Sequence, residues 1–337
     1  MTATQDSLHP GDGKNAAETV SDDATLIEIE LYAIEVVEAA GKLVSERFGG
    51  DLYVESKDGN GANPVTDVDR ASQALIAAMV EKRFPAHMIL GEEDAPKDEP
   101  AARDFIWVVD PIDGTTNYVN GHPVYAVSIG VLHRGEPVAA AVWTPWPAEG
   151  GFEIMHARKG GGAWIGDRKL AVKKPSGDEP HRPRRGWLST IPGSLRFMFN
   201  VDRRMRGNLG EPRTTGSAVY ELAMVARGVL QYALTGAVFS WDLAAGTLLV
   251  REAGGIVLTP AGPSDQVVGD WAMLDSFAPT FENTQKTTKE IRALRRVVLV
   301  GAPEVVWFVS KYVTRRRYGP VRRRLRRWLR QSGGLSP

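Results

Sequence analysis

An apolar run at residues 105–109 ends directly at two closely spaced carboxylates, and this junction constrains the fold more than any other feature of the chain. The run, Phe-Ile-Trp-Val-Val, predicts a buried β-strand. It leads Asp110 and Asp113 into a sharp turn, in which Pro111 restricts the backbone and Gly114 permits close approach of a small bound group. The chain therefore presents two acids at the end of a strand.

The residues after this turn favour a phosphate site. Thr115 and Thr116 can cap and open a helix, and the start of a helix attracts anions. Cation-binding carboxylates beside such a start are the combination that phosphate chemistry requires. Asp-Pro and Asp-Gly are also common turn formers without a function, so this segment alone leaves both interpretations open.

Other acids favour the functional interpretation, because each lies at a predicted strand end or helix start. Glu92 follows the short apolar segment 88–90, Asp242 begins an apolar helical pattern, and Asp69 lies at the start of another helix. Side chains at such ends can converge on one cleft. We therefore expect a shared acidic site.

The composition favours a hard metal ion at this site. The chain has no Cys and six His, and no His pair has the spacing of a zinc site. Carboxylate oxygens suit Mg²⁺, Ca²⁺ or Mn²⁺, and Mg²⁺ is typically bound by a few carboxylates together with substrate phosphate. Two such ions can activate a water and stabilise a leaving oxygen. The residues alone thus predict metal-assisted hydrolysis of a phosphate ester.

Three motifs in order, at residues 90–93, 107–117 and 241–246, resemble the inositol monophosphatase family of the lithium-sensitive, Mg²⁺-dependent sugar-phosphatase superfamily. The resemblance covers roughly residues 25–313. It implies a layered α-β-α-β-α sandwich, with an antiparallel α+β half followed by a mixed-sheet α/β half. It also implies a Mg²⁺-dependent phosphoric monoester hydrolase that acts on a small sugar or polyol phosphate of the inositol 1-phosphate type.

The same resemblance implies a role for each acid. The first metal ion would be bound by Glu92, Asp110 and the carbonyl of Ile112, and the second by Asp110, Asp113 and Asp242. Glu92 would also help to bind a third ion, which gives two or three Mg²⁺ ions in total.

Catalysis would depend on a residue pair near the metals, again by resemblance. Asp69 would orient Thr115 so that the pair polarises the attacking water, with Glu92 as the third catalytic residue. The substrate site would be lined by Asp113, Gly114, Thr115, Gly216, Ser217, Ala218 and Thr235.

Thr235 departs from the family pattern. Inositol enzymes have an acid seven residues before the second-metal aspartate, where it accepts inositol hydroxyls, and that position here is Thr235. Losing a charged acceptor could cost about 1.5–3 kcal/mol of substrate binding. Histidinol phosphate, fructose 1,6-bisphosphate and phosphoadenosine phosphates therefore remain alternative substrates.

We expect four segments along the chain: a disordered leader (1–24), an α+β half with the metal motifs (25–172), an α/β half with Asp242 and the substrate segment (173–313), and an Arg-rich tail (314–337). Residues 261–292 are interpreted as an irregular insertion. No apolar stretch is long enough to cross a membrane and no signal pattern precedes the first helix, which favours the cytoplasm. Family members are often homodimers, so we expect a homodimer.

The net charge of zero hides an asymmetry. Residues 315–330 contain nine Arg and no acid, and the rest of the chain has 32 basic residues against 41 acidic ones. Four apolar residues of the tail fall on one helical face, which suits contact with an anionic membrane surface or with nucleic acid. The alternatives are a tail that docks on the acidic body or is simply solvated. A non-catalytic binding protein that acts through this tail is the competing function.

Overall fold

The computed structural model describes residues 13–57, 63–94, 103–175, 177, 181–205, 207–261, 270–277 and 291–316, with side chains from residue 23 onward except at residues 195, 196 and 315. Its helices are α1 (Gly13–Arg47), α2 (Asp67–Arg83), α3 (Thr115–Val119), α4 (Leu195–Met198), α5 (Ala218–Ala226), α6 (Ser240–Glu252) and α7 (Pro303–Tyr312). Helix α1 begins at Gly13 and so extends into the segment 1–24 that composition assigned to a disordered leader.

Sheet I has seven strands that are adjacent in chain order. They are β3 (Met88–Gly91), β4 (Phe105–Asp113), β5 (Ala126–His133), β6 (Glu136–Pro145), β7 (Phe152–Arg158), β8 (Gly162–Ile165) and β9 (Arg168–Lys169). Strand β3 runs parallel to β4, and every other neighbouring pair is antiparallel. The central strands are buried on both faces, which explains why they are apolar throughout instead of alternating.

Sheet II has six strands in the order β12-β10-β13-β18-β15-β16. They are β10 (Leu188–Thr190), β12 (Glu211–Arg213), β13 (Tyr232–Leu234), β15 (Ile256–Pro260), β16 (Trp271–Met273) and β18 (Leu299–Gly301). Strand β10 is parallel to β12 and β13, and the remaining pairs are antiparallel. The predicted mixed sheet of the second half is therefore confirmed.

Helices cover both sheets. Helices α1 and α2 pack on one face of sheet I, α5 and α6 contact both sheets, and α7 packs on β15 and β18. A single apolar cluster runs from sheet I through α5 and α6 to sheet II and α7. This arrangement is the predicted α-β-α-β-α sandwich.

Part of the expected irregular insertion is regular. Strand β16 pairs with β15 at the edge of sheet II, and its fully buried Trp271 stacks on Phe199 with ring centroids 5.7 Å apart. Residues 262–269 and 278–290 of that insertion lie outside the described residues.

Three small two-stranded sheets complete the fold: β1 (Val54–Ser56) with β2 (Pro64–Thr66), β11 (Phe199–Val201) with β19 (Val313–Arg315), and β14 (Val238–Phe239) with β17 (Arg295–Arg296). The Arg-rich tail from residue 317 onward lies outside the described residues. Within the part of the chain that is described, no helix is long and apolar enough to cross a membrane.

Helix α6 lies unusually close to sheet I. An added Cβ at Gly130 of β5 would lie 2.6 Å from the Ala244 Cβ and 2.7 Å from the Ala245 backbone nitrogen. A helix backbone cannot yield as a flexible side chain does, so only glycine fits at this crossing.

We expect Gly130→Ala to lower the free energy of unfolding by about 1–3 kcal/mol, because overpacking here displaces the helix backbone. Denaturant unfolding measures this change. Gly193→Ala is the matched control, since its added Cβ meets no described atom within 4 Å. Equal stability of the two variants would show that α6 does not press on β5 as described.

Candidate active site

The end of strand β4 carries two of the predicted acids into the interior. Asp110 pairs with Ser128 and Asp113 with Ala126, and the ladder is interrupted between them, so the strand shifts its register there. Such irregularities redirect side chains. Gly114 follows in a left-handed conformation (φ 88°), where a Cβ would lie 3.0 Å from the Val124 carbonyl oxygen. The Asp-Pro-Ile-Asp-Gly turn thus aims two carboxylates at one point.

The third acid comes from the start of helix α6. Asp242 lies in the first turn, where one of its oxygens accepts a hydrogen bond from Phe239 N at 2.6 Å. Asp110, Asp113 and Asp242 are all buried, and each has a carboxylate oxygen within 4.8 Å of one in the other two. Residues far apart in the sequence therefore meet in the predicted cluster.

Burial and mutual repulsion oppose ionisation of this cluster. Burial raises the pKa of Asp113 to about 7, against the opposing effect of hydrogen bonds from Ser217 Oγ (2.5 Å) and Val219 N (2.6 Å). Burial, followed by the charges of neighbouring acids, also raises the pKa of Asp110 and of Asp242. A bound cation would remove this penalty.

Glu92 lines the same cleft and is fixed by contacts that the sequence did not reveal. Lys57 Nζ lies 2.7 Å from both Glu92 Oε1 and Glu93 Oε1. Asp94 accepts a hydrogen bond from Gly91 N at 2.7 Å, and Gln73 joins Asp94 to the Glu93 backbone. Gln73 lies on α2, about 20 residues earlier, so no local pattern could have indicated this support.

The predicted pair of Asp69 and Thr115 is present. Thr66 caps helix α2 and donates two hydrogen bonds, from N at 2.8 Å and Oγ1 at 2.5 Å, to Asp69 Oδ2. The other oxygen, Oδ1, faces Thr115 Oγ1 at 3.3 Å, and Thr115 also donates to Ile112 O at 2.9 Å. Burial raises the pKa of Asp69, and the Thr66 donors offset part of that rise. The capping motif therefore leaves one carboxylate oxygen for Thr115.

The acids border two adjoining pockets. One, of about 170 Å³, is lined by Glu92 and the Asp cluster together with Ile112, Gly114, Thr115 and Gly216. The other, of about 260 Å³, shares Asp113, Gly216 and Asp242 with the first and extends to Ser217, Ala218, Glu221 and Thr235. All of the predicted substrate-site residues thus lie around these two pockets.

Two of the predicted substrate residues make hydrogen bonds within the protein. Ser217 Oγ donates to Asp113, and the same oxygen accepts from Tyr220 N at 3.2 Å, where it caps α5. Thr235 Oγ1 donates to Gly236 O at 2.9 Å and accepts from Val298 N at 3.0 Å. A hydroxyl oxygen has two lone pairs, so Thr235 retains limited capacity toward a ligand.

Sequence reasoning missed two further residues at the site. Glu221 is a buried acid beside the larger pocket and accepts a hydrogen bond from Thr215 Oγ1 at 2.7 Å. Arg292 reaches the Glu92 loop from a point 200 residues later in the chain. Glu221 was missed because it lies within the regular apolar pattern of α5. Arg292 was missed because no local sequence pattern indicates a contact between residues so far apart in the chain.

Comparison with known proteins agrees with this geometry. The model of the inositol monophosphatase family matches residues 26–298. The fructose-1,6-bisphosphatase/inositol-1-monophosphatase of Aquifex aeolicus is 30% identical over 241 residues, which are 70% of this chain and 89% of that protein. The Nus factor SuhB of Escherichia coli K12 is 32% identical over 225 residues, or 67% and 82% of the two chains.

Solved structures show the same fold. The IMPase of Thermotoga maritima aligns with a TM-score of 0.60 and 26% identity over 83% of this chain and 96% of that one. The suhB protein of Bartonella henselae aligns with a TM-score of 0.65 and 24% identity, over 85% and 98% of the two chains. With the family match across most of its length, the chain belongs to the inositol monophosphatase family and is a phosphoric monoester hydrolase.

Proposed function

We propose that this protein is a Mg²⁺-dependent phosphatase of small sugar or polyol monophosphates. The observation that carries the proposal is the buried cluster of Asp110, Asp113 and Asp242, which shares a cleft with Glu92. Four acids surround one cleft, and the described contacts give the three aspartates no basic partner. This arrangement favours cation binding over a structural role.

The donor set fits magnesium. The buried Oδ2 of Asp110 has no hydrogen-bond donor among the described residues, and the charged groups nearest to it are other acids. All donors at the site are oxygens, the ligands that Mg²⁺ prefers. Glu92, Asp110 and the Ile112 carbonyl would hold one ion, Asp110, Asp113 and Asp242 a second, and Glu92 would help to hold a third. When bound, the ions supply positive charge that polarises the phosphate and acidifies water.

Asp69 and Thr115 would orient the attacking water. The Thr115 hydroxyl has one hydrogen, which either Ile112 O or Asp69 Oδ1 can accept. If the Ile112 carbonyl binds a cation, the hydrogen turns toward Asp69 and leaves a lone pair of Thr115 to accept from water. The water would then attack phosphorus and pass a proton toward Thr115 and Asp69, the bond between phosphorus and the ester oxygen would break, and the released oxygen would take a proton from solvent water. The backbone amides of Gly114 and Thr115 would face the phosphate.

The substrate is an alcohol phosphate whose organic part occupies the larger pocket. An inositol 1-phosphate type of substrate is favoured by the family, and fructose 1,6-bisphosphate is a second candidate because the Aquifex relative is named a fructose-1,6-bisphosphatase/inositol-1-monophosphatase. Thr235 lies where inositol enzymes have an acid, which keeps histidinol phosphate and phosphoadenosine phosphates as alternatives. Glu221 is an acid that borders the same pocket.

Two further features of this proposal concern location and assembly. We infer a cytoplasmic homodimer, by analogy with the family to which the chain belongs. Size-exclusion chromatography with light scattering measures the assembly state directly.

A second candidate activity concerns the Arg-rich tail. Strand β19 pairs with β11, and Arg316 N donates to Met198 O at 3.0 Å, so the last described residues before the tail are fixed on the body of the protein. Trp307 on α7 is 37% exposed nearby in the sequence. We propose that the tail contacts an anionic membrane surface, by attraction of its arginines to acidic lipid. Nucleic-acid binding is the alternative outcome of the test.

Substitution of Asp110 tests the metal cluster. Asp110→Asn should lower phosphate release by at least about 10²-fold, because several kcal/mol of metal-dependent stabilisation are lost. Activity is measured with Mg²⁺ on inositol 1-phosphate, histidinol phosphate, fructose 1,6-bisphosphate and phosphoadenosine phosphate. Asp104→Asn, at an exposed acid paired with Arg134, is the matched control. Substantial activity of Asp110→Asn would contradict the metal assignment.

Stability should depend on pH in an unusual direction when metal is removed. Between the ordinary pKa of Asp113, near 3.8, and its raised pKa of about 7, the folded protein retains a proton that the unfolded chain loses. The free energy of unfolding should therefore fall as the pH rises through this window in EDTA. Mg²⁺ binds the ionised carboxylates, so its stabilising effect should grow with pH.

Thermal unfolding at pH 5.5 to 8, with EDTA or Mg²⁺, measures both trends. Asp113→Asn should reduce the pH dependence in EDTA, because it removes one of the protons involved. A wild-type protein that becomes steadily more stable in EDTA over this range would show that the acids ionise freely and do not form a strained cluster.

Binding of the tail to a membrane surface is measured by co-sedimentation of the protein with vesicles at low salt. Truncation after Arg316, which retains β19, should abolish binding to vesicles rich in phosphatidylglycerol while leaving phosphatase activity intact. Vesicles of pure phosphatidylcholine are the control surface. Equal sedimentation of full-length and truncated protein would refute membrane contact, and tail-dependent binding to RNA alone would favour the nucleic-acid alternative.

A further inference from the structure

Arg292 joins the two parts of the chain that carry Glu92 and Asp242. One guanidinium nitrogen donates to Glu92 O at 2.8 Å, and the other donates to Gly91 O. The same guanidinium lies over the ring of Trp241, 5.2 Å from its centroid. Trp241 directly precedes Asp242, so one side chain contacts both the backbone of Glu92 and the aromatic ring next to Asp242.

The contact belongs to a larger stack at the start of helix α6. The Trp241 ring stacks on Phe239 with centroids 4.5 Å apart, and the Arg295 guanidinium lies over the Phe239 ring, 4.4 Å from its centroid. Phe239 N also donates to the carboxylate of Asp242. The segment that follows residue 290 thus clamps both aromatic residues that flank the helix start.

The charge of Arg292 suits this position. Burial lowers its pKa, and the nearby acids Asp94, Glu92 and Glu93 oppose that effect. An arginine keeps its charge in such surroundings and donates through a planar fork while its face stacks on an aromatic ring. A lysine could supply one donor to one carbonyl, but it could not bridge both carbonyls and stack at the same time.

Arg292 supports the Glu92 loop from a different side than the other residues that contact this loop. Asp94 and Gln73 fix the loop on the α2 side, and their described hydrogen bonds are to each other and to the backbone of Gly91 and Glu93. Among the described contacts, Arg292 is the side chain that links the Glu92 backbone to Trp241. Arg292 therefore adds a direct side-chain link between the two elements that carry predicted ligands, beside the packing of α6 on sheet I.

We propose that Arg292 is a positioning residue for metal binding, which fixes the Glu92 loop relative to the Asp242 end of helix α6. This inference rests on the proposed metal-dependent function. Residues that orient metal ligands through hydrogen bonds typically contribute roughly 10–100-fold in metal affinity. Arg292 touches no predicted ligand atom, so its effect acts through the placement of Glu92 and Asp242.

The test measures binding of Mn²⁺ alone, by electron paramagnetic resonance of the free ion, without substrate or turnover. Arg292→Gln should weaken Mn²⁺ binding by roughly 10–100-fold, and Arg292→Lys by less, since it retains the charge and one donor. Arg296→Gln is the matched control, because Arg296 donates to Arg295 O on an exposed strand of the same segment. Its Mn²⁺ affinity should equal that of the wild type.

Activity and stability separate positioning from a purely structural role. With rising Mg²⁺, the Arg292→Gln variant should recover most of its kcat, with a raised Mg²⁺ requirement and little change in KM for the substrate. A lowered thermal midpoint with unchanged Mn²⁺ affinity in both Arg292 variants would overturn the inference. If Arg292→Gln does not fold, the Mn²⁺ affinity of Arg292→Lys decides by the same criterion.

The outcomes also distinguish this inference from the proposed function. Equal Mn²⁺ affinities of wild type and Arg292→Gln would overturn the inference alone. No Mn²⁺ binding by the wild type would overturn the proposed metal-dependent function and the inference together.

Discussion

Repulsion among three buried carboxylates is the constraint around which the structure is organised. Asp110, Asp113 and Asp242 come within 4.8 Å of one another in the interior, where their charges are poorly screened. Hydrogen-bond donors from separate elements partly offset this repulsion: Phe239 N donates to Asp242, and Ser217 Oγ and Val219 N donate to Asp113. These donors stabilise the ionised forms only in part, so the cluster could hold a cation that offsets the remaining repulsion.

The layers of the fold make this concentration of charge possible. Helix α6 is buried from Ser240 to Val250 and lies directly on the glycine of β5, so the start of the helix is fixed against sheet I. Strand β4 runs beside β5 and brings Asp110 and Asp113 close to the start of helix α6. Helix α5 then supplies the donors to Asp113. Close packing of backbones, and not only polar contacts, sets the separation of the acids.

The sequence predicted much of this arrangement and missed the parts that depend on distant contacts. The apolar runs of β4 to β6 and the helical spacing of α2 have strong local patterns, and the acids follow them directly. Thr66 and Asp69 form a capping box that is readable from four consecutive residues. Gln73 and Arg292 could not be predicted in this way, because their partners are about 20 and 200 residues away. Strand β16 was missed since three residues between long connections carry almost no periodic signal.

The order of the ligands along the chain has a consequence for biosynthesis. Glu92, Asp110 and Asp113 leave the ribosome long before Asp242, and Arg292 follows later still. A nascent chain that has emerged only through sheet I therefore exposes three acids whose closing partner does not yet exist. If these acids bind metal as proposed, metal binding and hydrolysis would wait until Asp242 has emerged and the two sheets have packed together. Under that proposal a fragment that ends before Asp242 would release no phosphate, and cation binding would report that both halves have folded.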